Sequence, residues 1–184
     1  GMTFAIMTGG IDISVGSTVG FSSLIFIACF SGDALIGPIG SFFGMFNAIM
    51  PTGKVLPLLI AMLFTLALCV IIGIINGISI SILKMPEFIV TMSMVTIIKG
   101  FTLVLCDGSS IYLDRSYADS IGWFGSGRVL GIPIPVITFL VLFVILAIVL
   151  SKTTYGRYVR SIGGNYEATR LAGVNVVFYR ASVY

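Results

Sequence analysis

The stretch IPIPVITFLVLFVILAIVL, residues Ile132 to Leu150, decides the fold of this chain. Thr138 is its only polar side chain, and two prolines lie at its start. About 20 apolar residues in a helix cross the hydrocarbon core of a bilayer, and proline is tolerated in the first helical turn. The sequence therefore predicts a membrane-spanning helix here.

The composition of the whole chain agrees with this stretch. Hydrophobic residues make up 58% of the 184 residues and charged residues only 9%, against about 25% charged residues in ordinary soluble proteins. The mean hydropathy is +1.15. We predict an all-α, polytopic integral membrane protein with about four or more transmembrane helices and short or interfacial helices between them. The predicted spans are 15–30, 55–83, 87–106 and 132–150.

Several classes of function are excluded or disfavoured by residues that the sequence lacks. There is no His, so histidine catalysis and His-ligated metal sites are excluded. Cys29, Cys69 and Cys106 are far apart and form no CxxC pair, so we expect apolar thiols and neither a metal nor another cofactor. No GxxxxGK[ST] motif is present, so the chain is not itself an ATP-hydrolysing enzyme. The basic residues cluster at span ends, and no nucleic-acid partner is expected.

Two of the predicted spans have unusual lengths. The first, 15–30, is short for a spanning helix, and its Gly16 and Gly20 form a GxxxG pair that permits close backbone approach. The second, 55–83, would be about 44 Å long, well above the ~30 Å hydrocarbon core. Because Gly73, Asn76 and Gly77 lie in its second half, we expect a kink, a break or a strong tilt there. The Gly- and Pro-rich segment 31–53 is expected at the membrane surface.

The last 33 residues, KTTYGRYVRSIGGNYEATRLAGVNVVFYRASVY, Lys152 to Tyr184, form the one extended region dense in positive charge. They contain a predicted short helix. Asn165 is a good N-cap, Glu167 lies in the first turn with Arg170 three residues later, and Gly173 can end the helix in a left-handed conformation. A capped polar helix beside a membrane span indicates a contact surface for a cytoplasmic component.

Charge sets the predicted orientation. Basic residues accumulate in cytoplasmic loops, whereas acids contribute little to the rule. If the spans alternate and the 152–180 loop is cytoplasmic, six basic residues lie inside: Lys84, Lys152, Arg157, Arg160, Arg170 and Arg180. Three lie outside: Lys54, Arg115 and Arg128.

Polar residues within the apolar regions are candidates for a translocation path or gate. Lys99 either extends its side chain to the interface or lines the path. Asn76 either forms a helix–helix hydrogen bond or lines the path. Thr96 is a further candidate for the path or gate. In TGGIDISVGS, Thr8 to Ser17, we favour a packing and gating role over direct binding of a solute, because the motif lacks the aromatic faces that such sites usually combine with planar polar side chains. The residues concerned are Gly9, Gly10, Asp12, Ser14 and Gly16.

Three motifs together resemble the permease subunit of bacterial ribose-type sugar ABC importers. They are TGGIDISVGS, Thr8 to Ser17; NGISISILKMPEFIVTMSMVTIIKG, Asn76 to Gly100; and TTYGRYVRSIGGNYEATRLAGVNV, Thr153 to Val176. They occur in the expected order, and the resemblance covers nearly the whole chain. Complete permeases of this family are longer, and the chain starts within a motif and stops without a closing span. We therefore expect residues 1–184 to be one permease domain truncated at both ends.

The resemblance implies a transport role and a set of partners. Such permeases form a multi-pass channel in the bacterial inner (cytoplasmic) membrane from two permease subunits, identical or different. A periplasmic or extracellular binding protein delivers a monosaccharide, and two cytoplasmic ATP-binding subunits power the cycle. The matching loop of the family carries a coupling helix that docks on the ATPase, here Asn165 to Ala172. The coupling residues implied are Gly163, Gly164, Asn165, Glu167, Ala168, Arg170, Leu171 and Gly173.

Three other interpretations stay open from the sequence. The chain could carry another small solute in the same superfamily, such as a branched-chain amino acid or a sugar-like signalling molecule. It could be a stand-alone secondary transporter or channel, whose broken helices would fit the Gly73–Gly77 region. The third is a membrane-integral protein with no transport role.

Overall fold

A computed structural model describes residues 2–30, 35, 40–43, 45, 55–112, 122–123 and 125–184. Helices account for most of these residues, in agreement with the predicted fold class. In chain order the elements are α1 (Met2–Met7), α2 (Val15–Ala28), α3 (Val55–Ser81), α4 (Glu87–Leu105), β1 (Arg128–Val129), β2 (Ile132–Pro133), α5 (Ile134–Lys152), α6 (Thr154–Gly164), α7 (Tyr166–Leu171) and α8 (Val176–Ala181).

Three helices in the described part of the chain are long and apolar enough to cross a membrane. They are Leu56–Ser81 within α3, α4 itself and α5 itself. Most of their side chains are not covered by the rest of this chain, as expected for helices that contact lipid or other protein chains. α2 has only 14 residues, so the first predicted span is as short as its sequence indicated.

Of the kink, break or strong tilt expected in the second span, the break is not present. α3 continues as one helix through Gly73 and Gly77 to Ser81. A Cβ on Gly77 would lie 2.5 Å from the carbonyl oxygen of Ala181, and one on Gly73 would lie 2.6 Å from that of Tyr184. These two glycines therefore let the C-terminal segment pack on α3, and they do not interrupt the helix.

A small hairpin precedes α5 and includes Ile132 and Pro133, the first two residues of the predicted span 132–150. Strands β1 and β2 are antiparallel, with Val129 paired to Ile132. The two loop residues, Leu130 and Gly131, have φ of 53° and 82°. Positive φ at both central positions is the signature of the tight turn that joins antiparallel strands. The long helix accordingly starts at Ile134 and extends to Lys152, two residues later than predicted at each end.

The chain forms two compact units. One comprises Gly1–Gly16, Val70–Val95 and Phe139–Tyr184, and the other Ser17–Cys69 and Thr96–Thr138. The core of the second unit is apolar, with Leu24, Ile25 and Ala28 of α2 against Ala61 of α3 and Leu105 of α4.

The first unit collects α1, α6, α7 and α8 around three ends of the long helices. α3 and α5 enter it by their C-terminal ends and α4 by its N-terminal end, as spans that alternate in direction require. The buried face of α6 consists of Gly156, Val159 and Ile162, and α6 packs against α1, α7 and α8. Most of the 31–53 segment, together with Lys54 and Arg115 of the charge count, lies outside the described residues.

Candidate functional site

α7 is a short helix whose first turn is capped by a side chain. Asn165 has φ −157° and ψ 104°, and its Oδ1 accepts a hydrogen bond of 2.9 Å from the backbone N–H of Ala168. The backbone N–H of Asn165 also donates to the carbonyl of Ser161 at the end of α6. One residue thus ends α6 and starts α7, which fixes the angle between the two helices.

The other end of α7 has the predicted glycine cap. Gly173 has φ +82°, its N–H donates to the carbonyl of Arg170, and the N–H of Val174 donates to that of Thr169. This pair of bonds is the Schellman arrangement, in which a left-handed residue satisfies the last helical carbonyls. α7 is therefore closed at both ends and is a rigid element despite its six residues.

The outer surface of α7 is polar with one apolar residue. Arg170 Nη2 and Glu167 Oε2 are 2.9 Å apart, with both side chains more than 60% exposed, so the pair contributes little to stability. Leu171 is 82% exposed, whereas Thr169 on the opposite side is buried. An exposed leucine beside an exposed ion pair is suited to contact a protein surface that is itself partly apolar.

The two glycines before α7 belong to the preceding helix. Gly163 and Gly164 are the last residues of α6 and are helical. A Cβ on Gly163 would clash with the backbone carbonyl of Met7. The glycine allows the end of α1 to contact α6 directly, so Gly163 connects two elements and does not loosen them.

A buried polar cluster occupies residues 11–14 and the facing surfaces of α3 and α4. Asp12 Oδ1 accepts hydrogen bonds from the N–H and the hydroxyl of Ser14, at 2.8 and 2.6 Å. Asn76 Nδ2 donates to Ser14 Oγ at 3.0 Å, and both Asn76 and Ser14 are almost fully buried. Asp12 therefore orders the loop before α2. The helix–helix hydrogen bond proposed for Asn76 is made to this loop.

Thr91 and Glu87, one helical turn apart on α4, complete this region and were not singled out from the sequence. Thr91 is fully buried, and its hydroxyl donates to the carbonyl of Glu87 at 2.9 Å and lies 3.4 Å from that of Ile11. Gly10 lies so close to Glu87 and Tyr184 that a Cβ there would clash with both side chains. A spacing of four on one helix face was the only signal in the sequence that could have linked Glu87 to Thr91.

The remaining path candidates lie apart from this cluster. Gly16 would have open space around a Cβ, so it makes no close approach within the described residues. Thr96 and Lys99 lie further along α4, in the second unit, and both are exposed. Lys99 precedes the end of α4 by six residues, or about 9 Å along the helix.

The second unit contains an open cavity of about 450 Å³ between α2 and α3. Its polar lining residues Ser22, Ser23 and Thr65 donate to backbone carbonyls of their own helices, at 2.8 to 3.0 Å. Phe26 and Leu66 are among the apolar residues of its wall. Because these hydroxyl groups already donate hydrogen bonds within their own helices, the wall of the cavity is mainly apolar. In the described residues no group of three His, Cys, Asp or Glu side chains is placed to hold a metal ion.

Burial and charge act together on Tyr184. Burial raises the pKa of its hydroxyl well above the ordinary value, the nearby carboxylate of Glu87 raises the pKa further, and the guanidinium of Arg180 opposes the shift. Tyr184 is thus held as the neutral phenol beside the Glu87 carboxylate.

The three membrane-length helices of the described residues define a multi-pass membrane protein. The sequence profile of the family described as "branched-chain amino acid transport system / permease component" matches residues 1–184. The chain belongs to this family of permease components and is a multi-pass protein of the bacterial inner, or cytoplasmic, membrane. The predicted family resemblance is confirmed.

Individual relatives are sugar permeases. The chain is 35% identical to the ribose import permease protein RbsC of Escherichia coli and 38% identical to that of Bacillus subtilis, over its whole length in both cases. It is 29% identical to the D-allose transport system permease protein AlsC of Escherichia coli, covering 49% of that protein. The chain spans about half the length of the curated relatives it matches, 51% and 50% for the two ribose permeases. No solved structure matches it.

Proposed function

We propose that this chain belongs to the transmembrane subunit of an ATP-driven importer that takes up a monosaccharide of the ribose type. In this role α7 docks on a cytoplasmic ATP-binding subunit. A binding protein on the opposite side of the membrane delivers the sugar, and a second permease subunit completes the path.

The observation that carries the proposal is that α7 is capped at both ends and joined to the membrane helices. A helix that transmits a movement of the ATPase must be rigid and must be joined to the membrane helices. The Asn165 cap and the Gly173 Schellman motif supply the rigidity. The close contact between Gly163 and the carbonyl of Met7 links α6 to α1, and the residues after α1 are hydrogen-bonded to α3.

The proposed orientation places α6, α7 and α8 in the cytoplasm. Lys84 follows α3, and Lys152 is the last residue of α5. Both belong to the same compact unit as these helices. Lysine and arginine favour the cytoplasmic ends of spans. We assign residues 152–180 to the cytoplasmic coupling loop on this basis.

The proposed substrate class follows from the solutes named for the relatives. These include permeases for ribose, galactofuranose, D-allose and L-arabinose. A branched-chain amino acid is the second candidate, favoured by the description of the family. In either case we propose that the buried Asp12–Ser14–Asn76 cluster acts in packing and gating rather than as the sugar site. Asp12 Oδ1, the Ser14 hydroxyl and Asn76 Nδ2 hydrogen-bond to one another, while the buried Asn76 Oδ1 has no hydrogen-bond partner among the described residues.

The docking role is tested with the full-length permease and its ATP-binding subunit. Leu171→Asp places a charge on the exposed surface of α7, and we expect it to weaken ATPase binding about tenfold or more, as for loss of an interface anchor. Arg157→Gln, on an exposed position of α6, is the matched control and should bind normally. Equal binding by both variants would contradict the docking role, and so would uptake that continues without any ATPase under an ion gradient.

The substrate is tested separately by uptake into proteoliposomes. A panel of pentoses, hexoses and branched-chain amino acids is offered with ATP inside and the binding protein outside. Saturable, ATP-dependent uptake of a pentose or hexose supports the sugar proposal. Uptake confined to amino acids overturns it in favour of the second candidate.

A further inference from the structure

α8 is seated directly on α3. The missing side chains of Gly73 and Gly77 let the backbone at Tyr184 and Ala181 approach α3 to within contact distance. Val176, at the start of α8, is also buried. The helix is thus fixed against a membrane-length helix by its backbone.

An ion pair fixes α8 to a second membrane-length helix. Arg180 lies in the last turn of α8, and its Nε and Nη2 donate to Glu87 Oε1 at 3.2 and 2.5 Å. Glu87 lies in the first turn of α4. Both positions suit the dipoles of their helices, because an acid is favoured at a helix start and a base at a helix end.

The pair is much less exposed than the other ion pair described in the structure. The side chains of Glu87 and Arg180 are 13% and 29% exposed, whereas those of Glu167 and Arg170 on α7 are 64% and 62% exposed. Removing one partner of a largely buried pair leaves an uncompensated charge, and its effect is far larger than for a surface pair. The Glu87–Arg180 contact is therefore able to hold α8 and α4 together.

α8 is also tied to α7. Residues 172–175 are the whole connection between the two helices, and Gly173 and Asn175 are both caps within it. α8 packs against α6 and α7 as well. Tyr155 of α6 reinforces this packing, since its hydroxyl lies 3.0 Å from the hydroxyl of Ser182.

We propose that the Glu87–Arg180 ion pair is the joint through which a displacement of α7 is passed by α8 to the N-terminal end of α4. The proposal rests on the proposed function, in which α7 receives that displacement from the ATPase. Glu87 and Arg180 are positioning residues, because they act through α4 and do not touch substrate. This route is separate from the one that runs from α6 through Gly163 to α1.

The test uses the full-length permease assembled with its ATPase and binding protein in proteoliposomes. The variants are Glu87→Gln, Arg180→Gln and the charge-swapped pair Glu87→Arg with Arg180→Glu. Two quantities are measured: the affinity of the ATPase subunit, and the number of ATP molecules hydrolysed per solute imported. Arg157→Gln is the matched control, as an arginine of the same region outside the joint.

We expect both single variants to bind the ATPase like the wild type, because α7 is unchanged. The ATP hydrolysed per solute should rise about threefold or more, which is within the range seen for residues on a coupling route. The swapped pair should restore part of this loss, limited by its reversed orientation to the helix dipoles. A merely structural role would lower the amount of folded protein without changing that ratio.

The outcomes separate this proposal from the function on which it rests. A wild-type ratio in both single variants overturns the joint while leaving the importer intact. Failure of the wild-type chain to bind an ATPase overturns the proposed function instead. Arg180→Lys keeps the charge and so guards against misfolding. A ratio closer to wild type than that of Arg180→Gln supports the joint, and a ratio as high as that of Arg180→Gln counts against it.

Discussion

Replacing Gly77 by alanine tests whether the glycines of α3 exist to seat α8. The new Cβ would lie 2.5 Å from the carbonyl oxygen of Ala181 and 3.1 Å from its carbonyl carbon and Cα. Carbon and oxygen pack at about 3.5 Å, so the α8 backbone must withdraw by about 1 Å. The obstacle is backbone, which cannot turn aside as a flexible side chain would. Overpacking of this kind costs about 1–3 kcal/mol.

Gly77→Ala also increases the intrinsic stability of the helix, and a control variant measures this gain. Alanine is favoured over glycine in a helix interior by about 0.8–1.0 kcal/mol. Gly100 lies within α4, and a Cβ there would meet no heavy atom within 4 Å, so Gly100→Ala reports this gain alone. The free energies of unfolding of the two variants should therefore differ by about 1–3 kcal/mol, with Gly77→Ala the less stable.

The assay is reversible unfolding of the full-length permease in mixed detergent micelles, followed by helical circular dichroism. Gly77→Ala should also weaken the Glu87–Arg180 contact, because that ion pair depends on where α8 lies. If the two alanine variants are stabilised by the same amount, the glycines have no seating role and the reasoning is refuted.

Three further results are expected. Asn165→Ala removes the N-cap of α7 and should cost about 1 kcal/mol of helix stability, seen as about fivefold weaker ATPase binding, whereas Asn165→Asp keeps the acceptor and should bind normally. Asn76→Ala removes the donor to the buried hydroxyl oxygen of Ser14 and should destabilise the protein by about 1–3 kcal/mol. Ser79→Ala is the control and should have little effect, because the Ser79 hydroxyl donates to the carbonyl of Ile75 within α3. The raised pKa of Tyr184 favours the neutral phenol in the folded state, so its stabilisation is fully present below pH 10.0, the ordinary value, and is lost as the pH rises further. Tyr184→Phe should abolish that alkaline loss, and an unchanged pH profile would show that its ionisation is not linked to folding.

Features encoded within a few residues were predictable from the sequence. The apolar runs gave the positions of α3, α4 and α5 to within two residues, because a bilayer fixes both the length and the polarity of a spanning helix. The caps of α7 were predictable for the same reason, since Asn165 and Gly173 act on backbone groups at most four residues away.

Features that depend on distant contacts were not predictable. Gly73 and Gly77 looked like helix breakers because the sequence does not show that the backbone of α8, about 100 positions later, occupies the space of their missing side chains. Glu87 and Arg180 are 93 positions apart, and the residues around each of them do not indicate that the two side chains pair. Nothing near Gly163 in the sequence indicates its contact with Met7.

The length of α2 has a consequence for how this region enters the bilayer. Its 14 residues extend for about 21 Å, roughly 9 Å less than the hydrocarbon thickness, so α2 alone suffers negative hydrophobic mismatch. The irregular backbone before it is tolerated in a low-dielectric setting only when other protein segments satisfy its polar groups. Asn76 and Thr91, which lie later in the chain, contact this backbone or its side chains. We therefore expect the region before α2 to reach its final topology only after α3 and α4 have left the translocon, which makes its integration a late event in biogenesis.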